Sequence, residues 1–217
     1  YRPSGLSRSR GQRWRTFIRN HMDETWACDF FVLVTCRFRL LYVFVVLSLG
    51  RRRLVHVGVT DHPSSAWAAQ RIVEATADVG EAPRFLVHDR DSIYGSEFRG
   101  RVRGLGTRGL RTPPRTPTAN PFAERVIGTL RRDCFDHVIV RDERHAERVL
   151  AAYLGYYHGR PRRGLRMQPP DGEKHLPPPR PPPGTTIVAT PILGGLHHRY
   201  GLAPNARPPP TVPERAA

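Results

Sequence analysis

Lysine is almost missing: Lys174 stands alone in a chain of 217 residues. Acidic side chains are scarce as well, 19 against 35 Lys plus Arg, which leaves a formal net charge of +16 and an isoelectric point near 11.2. A GC-rich coding bias competes as the account of arginine over lysine, but it does not account for the shortage of acid. The imbalance favours a polyanionic partner, nucleic acid first and an acidic membrane surface second. Cysteine is limited to Cys28, Cys36 and Cys134, an odd number with no CxxC pair. That argues against a disulfide framework or a zinc site and reads as buried thiols in a reducing cytoplasm. Long apolar runs are absent too. Leu40–Leu49 is too short to span a bilayer and is flanked by arginines, and no signal peptide is visible. No convincing Ser-His-Asp or Cys-His arrangement is present for nucleophilic catalysis. The length suits one sizeable core with flanking segments. The first residue is Tyr1 rather than Met, so an upstream portion is expected.

Residues 1–22 carry six arginines and no acid and read as a basic arm or linker. Runs rich in β-branched and aromatic residues predict strands over 25–35, 40–49 and 53–60, the last two joined by a turn short enough for an antiparallel meander. Ser64 is placed to cap a helix reaching Val79, and Gly80 to stop it. A fourth strand is expected over 84–89, a short helix near 96–104, and a fifth strand at 110–112, cut off by Pro113 and Pro114. Asn120 with Pro121 behind it is a helix-start signature. Its helix puts Phe122, Val126 and Leu130 on one stripe, and Glu124, Gly128 and Arg131 on the other. A last amphipathic helix is predicted over 143–157. The core thus runs 23–167, and 168–217 reads as a stiff, extended proline-rich tail, with no physical account for Leu193–Tyr200. The order β-β-β-α-β-α-(β)-α-α gives an α/β fold, a mixed sheet flanked by helices, in which the first and fourth strands are neighbours.

Three acids occupy unlike settings. Asp29 interrupts an apolar strand, Asp89 closes the fourth strand, and Glu124 lies on a helix. Fifty-nine residues separate the first two and thirty-four the second pair. A carboxylate in a buried strand is costly unless something neutralises it. Either an arginine does so, or converging carboxylates share cations, and hard oxygen donors suit Mg2+ or Mn2+. Taken singly, Asp89 also fits a turn residue, Glu124 a solvated helix residue paired with Arg131, and His88 a satisfied core histidine. Trp26 and Trp67 read as core.

Taken together, Trp26 to Asp29, Leu41 to Phe44, His88 to Ser92 with Phe98, Arg111 to Asn120, and Ala123 to Arg125 resemble the catalytic core of retroviral integrases and bacterial insertion-sequence transposases. This is the DDE group, with its ribonuclease-H-like fold, and the likeness runs from about Trp14 to Pro170. The family's three acids fall on Asp29, Asp89 and Glu124, and its usual spacing between the last two is close to the thirty-four found here. The resemblance implies end cleavage followed by strand transfer during transposition. Two Mg2+ or Mn2+ ions would activate the nucleophile and stabilise the leaving oxygen. It further implies DNA partners (element ends and target), a homo-oligomer, no membrane role, and a bacterial, nucleoid-associated cytoplasmic setting. Arg125, Arg131 and Arg132, with Arg115 and Asn120, are expected to meet DNA, the arginines largely through its backbone.

This chain departs from the family in three places. Asp89-Arg90-Asp91 replaces the common Asp-x-Gly, which makes Asp91 a rival second ligand. His158 to Arg162 differs from the usual polar signature after the last helix. An upstream helix-turn-helix is not among these residues, so the chain reads as a fragment or as a relic of a decayed element. Two other functions compete. A catalytically decayed protein would only bind nucleic acid. A cellular nuclease of the same fold would cut without joining, although the loop of Pro117, Thr118, Ala119 and Asn120 argues for the transposase branch.

Overall fold

The computed structural model describes residues 14–114, 120–172 and 182–205. A five-stranded sheet forms the centre, from β1 (Thr25–Val34), β2 (Leu40–Ser48), β3 (Arg53–Thr60), β4 (Phe85–His88) and β5 (Arg108–Arg111), in the spatial order β3-β2-β1-β4-β5. The first three make an antiparallel meander, while β4 and β5 run parallel to β1. Helices lie on both faces: α1 (14–20), α2 (Ser65–Val79), α3 (Ser96–Gly104), α4 (Pro121–Asp133) and α5 (Glu143–Gly159).

Strand periodicity explains why both faces are covered. Trp26, Cys28, Phe44, Val46 and Leu86 point to one side, where they pack with Ala68, Ile72 and Ala75 of α2 and Phe98 and Val102 of α3. Ala27, Phe31, Val43, Val45, Leu47 and Val87 point to the other, against Ala123, Val126 and Leu130 of α4 and Val149, Leu150 and Tyr153 of α5. Strands covered on both faces read as continuous apolar runs, and β2 is one. Within that setting a lone Asp29 is conspicuous.

Helix ends follow local chemistry. The Ser64 hydroxyl accepts from the Trp67 N–H at 3.1 Å, and Gly80, at φ 85°, donates its N–H to the Thr76 carbonyl. Asn120 occupies the N-cap position of α4, but its side chain makes no capping bond. Cys36, expected to be buried, is exposed in the β1–β2 turn, whereas Cys28 and Cys134 are buried.

Residues 182–205 differ from the extended tail read from composition, while residues 173–181 and 206–217 of that tail, like residues 1–13 of the basic arm, lie outside the described residues. Thr185–Ile192 (β6) and His197–Pro204 (β7) form an antiparallel hairpin. Its turn, Leu193–Gly195, uses left-handed backbone at Leu193, Gly194 and Gly195. This hairpin returns to the core: the His197 ring lies 4.5 Å from that of Tyr156, nearly parallel to it, and its Nε2 sits 2.6 Å from the Asp133 carbonyl. Thus Leu193–Tyr200 belongs to a folded element. Among the described residues no helix is long and apolar enough to cross a membrane.

Leu130 is fully buried where α4 meets the sheet. Leu130→Ala is expected to lower unfolding free energy by about 2–5 kcal/mol in urea titration. A loss well under ~1 kcal/mol would contradict the packing of α4 described here.

Candidate active site

The β1–β4 register sets up the site. Thr25 pairs with Phe85, Trp26 with Leu86 and Ala27 with Val87. Carried two residues further, the same offset brings Asp29 level with Asp89 on strands that lie about 4.8 Å apart. Ala27 and Val87 both belong to the core beneath α4. Strand alternation therefore turns the two carboxylates towards the α4 side. Glu124 stands in the first turn of α4, exposed, while its neighbours Ala123 and Val126 are buried on the sheet.

Electrostatics shows that the three acids feel one another. Burial raises the Asp29 carboxyl from 3.8 to about 6; a hydrogen bond from the Phe30 N–H to Oδ1 at 2.8 Å opposes this, and the charges of Asp89 and Glu124 add to the rise. None of the three takes part in an ion pair among the described residues. The arginines that do pair use Asp61, Asp171, Glu74, Glu24 and Asp133. Guanidinium neutralisation of Asp29, the structural alternative for a carboxylate in a strand, is thus not observed there.

The two neighbouring acids of the β4 end are used differently. Asp91 Oδ1 accepts from the Ile93 N–H at 2.9 Å and from the Ser92 hydroxyl at 3.3 Å, capping the short turn Ser92–Tyr94. Asp89 Oδ1 accepts the Asp91 N–H at 2.9 Å, and it is Asp89 whose charge reaches Asp29. His88 is buried, with Nδ1 2.8 Å from the Asp89 carbonyl and its ring against Tyr94 and Phe98. Burial holds its imidazole below the ordinary value, as suits a core histidine.

A divalent ion fits this donor set in chemistry. The donors are all oxygen, they repel one another, and no cationic side chain among the described residues pairs with them. As placed, no group of three His, Cys, Asp or Glu among the described residues is drawn close enough to form a ready-made cage. The carboxylates would have to close around the ion.

The expected DNA-contacting residues fall into different classes. Arg125 is exposed beside Glu124. Arg131 is exposed but anchored: its Nη2 donates to the Val32 carbonyl at 3.0 Å, and its guanidinium lies 5.3 Å from the Phe31 ring centre. Arg132 is exposed, folded back over Gly128. Arg115 lies outside the described residues. Asn120 stands at the N-cap of α4 without the side-chain capping bond expected of it. Its side chain is buried, and Nδ2 donates to the Cys28 carbonyl at 3.4 Å, tying the start of α4 to the strand beside Asp29. The sequence reading missed Arg52, Arg162 and Arg163, which join Arg125 around one pocket. Their only sequence signal was arginine in the β2–β3 turn and after α5.

Comparisons with known proteins bear on the fold. Residues 105–170, the segment that includes Glu124, match the family described as Integrase core domain. A search of curated proteins finds no match. The fold is similar to a chain of the simian T-cell lymphotropic virus intasome solved with the PP2A regulatory subunit B56 gamma, at 20% identity and TM-score 0.56, covering 84% of this chain and 67% of that one. It is also similar to the catalytic domain of Mos1 mariner transposase, at 8% identity and TM-score 0.57, covering 71% of this chain and 83% of that one. The HTLV-2 integrase catalytic core domain, solved with magnesium, aligns at 12% identity and TM-score 0.48 over 63% of this chain and 85% of that one. Residues 105–170 thus match an integrase-core family model, and the chain shares its fold with the intasome chain and with the transposase catalytic domain.

Proposed function

We propose that this core cleaves and joins DNA strands with the help of divalent ions held by Asp29, Asp89 and Glu124. One observation carries the reading: the Asp29 carboxyl is pushed up by burial and by the two other acids, with no cationic partner among the described residues. Mg2+ or Mn2+, two ions in the fullest arrangement, would supply Lewis-acid stabilisation of both the attacking and the leaving oxygen. The chain's own part is positional. Asp29 lies in β1, Asp89 follows the end of β4, Asn120 ties the start of α4 to β1, and α4 carries Glu124. Arg125, Arg131 and Arg132 on α4 offer positive charge to the phosphate backbone, and Arg115 extends that role.

Two displacements make up the reaction. Water adds to a phosphorus at the element's end as the bond from that phosphorus to the 3′-oxygen breaks. The freed 3′-oxygen then bonds to a target phosphorus as the target's own 3′-oxygen leaves. The partners are the element ends and target DNA, and the working form we assign is a homo-oligomer on DNA.

In a plasmid assay with a labelled duplex bearing free 3′-hydroxyl ends, nicking and joining should require Mg2+ or Mn2+, and Asp29→Asn or Glu124→Gln should reduce both to background. Activity that persists in EDTA rules the reading out. Binding that falls with salt but ignores Asp29→Asn, with no strand joining under any metal, favours a decayed DNA-binding protein. Cutting without joining favours a nuclease.

The raised Asp29 carboxyl also sets a pH dependence. Its folded value, about 6, lies above the ordinary 3.8, so the folded chain holds this proton more tightly. The resulting stability is full below pH 3.8 and is lost as pH rises through about 6. With partial solvent exposure discounted, the loss is on the order of 1–3 kcal/mol. In EDTA, Asp29→Asn should therefore be more stable than wild type at pH 7 by about that amount. The advantage should shrink towards pH 4 in denaturant titrations. Mg2+ should raise the wild-type Tm at pH 7 and leave Asp29→Asn unmoved. A difference independent of pH would contradict the assignment of the proton to Asp29.

A further inference from the structure

One cavity outside the carboxylate cluster is built almost entirely for negative charge. It lies between the β2–β3 turn, α4 and the turn after α5, and its walls include Arg52, Phe122, Arg125, Tyr157, Arg162 and Arg163. Its volume is ≈ 220 Å³, below the roughly 300 Å³ at the low end of small-molecule sites, which suits one phosphate group better than a nucleotide. No acidic residue lines it, and none of its four arginines forms an ion pair among the described residues.

These guanidinium groups are fixed in place without being neutralised. Arg162 stacks 3.9 Å from the centre of the Tyr157 ring, and Arg52 lies 5.0 Å from that of Phe122. The Tyr157 hydroxyl donates to the Arg52 carbonyl at 3.1 Å, holding the β2–β3 turn, where Arg52 adopts left-handed backbone at φ 52°. Gly164 admits the Arg52 side chain, since a Cβ there would lie 3.1 Å from its Cζ. Even so, Arg52 Nε, Arg162 Nε and Arg162 Nη2 are buried without a hydrogen-bond partner among the described residues. Buried donors left unmade are costly, and like charges packed together add to that cost. Burial first, and then Arg125 and Arg162, hold the Arg52 guanidinium below its ordinary value. A tetrahedral oxyanion supplies what is missing, because planar guanidinium forks match phosphate oxygens in both charge and geometry.

We infer that this pocket is a phosphate clamp, in which Arg52, Arg125, Arg162 and Arg163 seat one DNA backbone phosphate a single residue along α4 from Glu124. The clamp would anchor the strand independently of sequence and set the distance from a held phosphate to the carboxylates. It deepens the DNA-joining reading by naming a fixed contact for that substrate. Arg52, Arg162 and Arg163 have no part in the carboxylate chemistry, so the two ideas can fail separately.

The test uses Arg52→Gln and Arg162→Gln in the full chain, each placed also in an Asp29→Asn background. Binding to two unrelated duplexes is followed by fluorescence anisotropy across a KCl series in EDTA, where strand chemistry is silent. Each substitution should weaken both duplexes equally, and losing the contact should make the slope of log K against log salt shallower by about 0.9. Orthophosphate should raise the wild-type Tm, with the shift lost in both variants. Should Arg162→Gln fail to fold, the exposed Arg163→Gln gives the same binding readout. An unchanged salt slope and affinity would overturn the clamp. Orthophosphate stabilisation with unaltered DNA binding would overturn it as well, by making the pocket a site for free anions. Absence of strand joining by the wild-type chain with Mg2+ or Mn2+, beside an intact clamp signature, would sink only the carboxylate reading.

Discussion

Everything in this molecule turns on the parallel pairing of β1 with β4. Carried two residues past its last pair, Ala27 with Val87, that register brings Asp29 level with Asp89 just beyond the end of β4, and strand alternation turns both towards α4. A carboxylate inside an apolar strand is an expensive feature. Here its cost is increased by two further acids, and the arginine ion pairs among the described residues all go elsewhere. A fold optimised for stability alone would place an apolar side chain at position 29. Under the proposed function, divalent cations and a polyanionic substrate would offset that cost.

Much of the fold was legible beforehand, for physical reasons that can be named. The strands announced themselves through β-branched and aromatic runs, and the helices through Ser64, Gly80 and the Asn120-Pro121 pair. Observed ends fall within a residue or two of expectation. Asp29 was visible because apolar neighbours on both sides mark it as misplaced. Asp91 remained a rival in sequence because only the fold shows its carboxylate spent on the Ser92–Tyr94 turn.

What sequence could not give was contact between distant segments. The 185–204 hairpin was hidden by the prolines before it. Its strands pair only with each other, and the left-handed turn that joins them uses Leu193 as well as two glycines. Asn120 was read as a cap from its position, but its amide is drawn 3.4 Å from a carbonyl ninety-two residues away along the chain. The Arg52, Arg125, Arg162 and Arg163 pocket assembles from three separate segments, each of which looks like ordinary surface charge by itself. Acidic and basic features end up on neighbouring sides of α4. The proposed chemistry and the proposed grip on the substrate would then share one helix.

Anomalous diffraction from crystals soaked in Mn2+ tests the central claim most directly. The account predicts manganese bound among Asp29, Asp89 and Glu124, with carboxylate oxygens from all three at about 2.0–2.6 Å. Manganese bound elsewhere, or these three side chains held apart with no ion between them at saturating Mn2+, would contradict it.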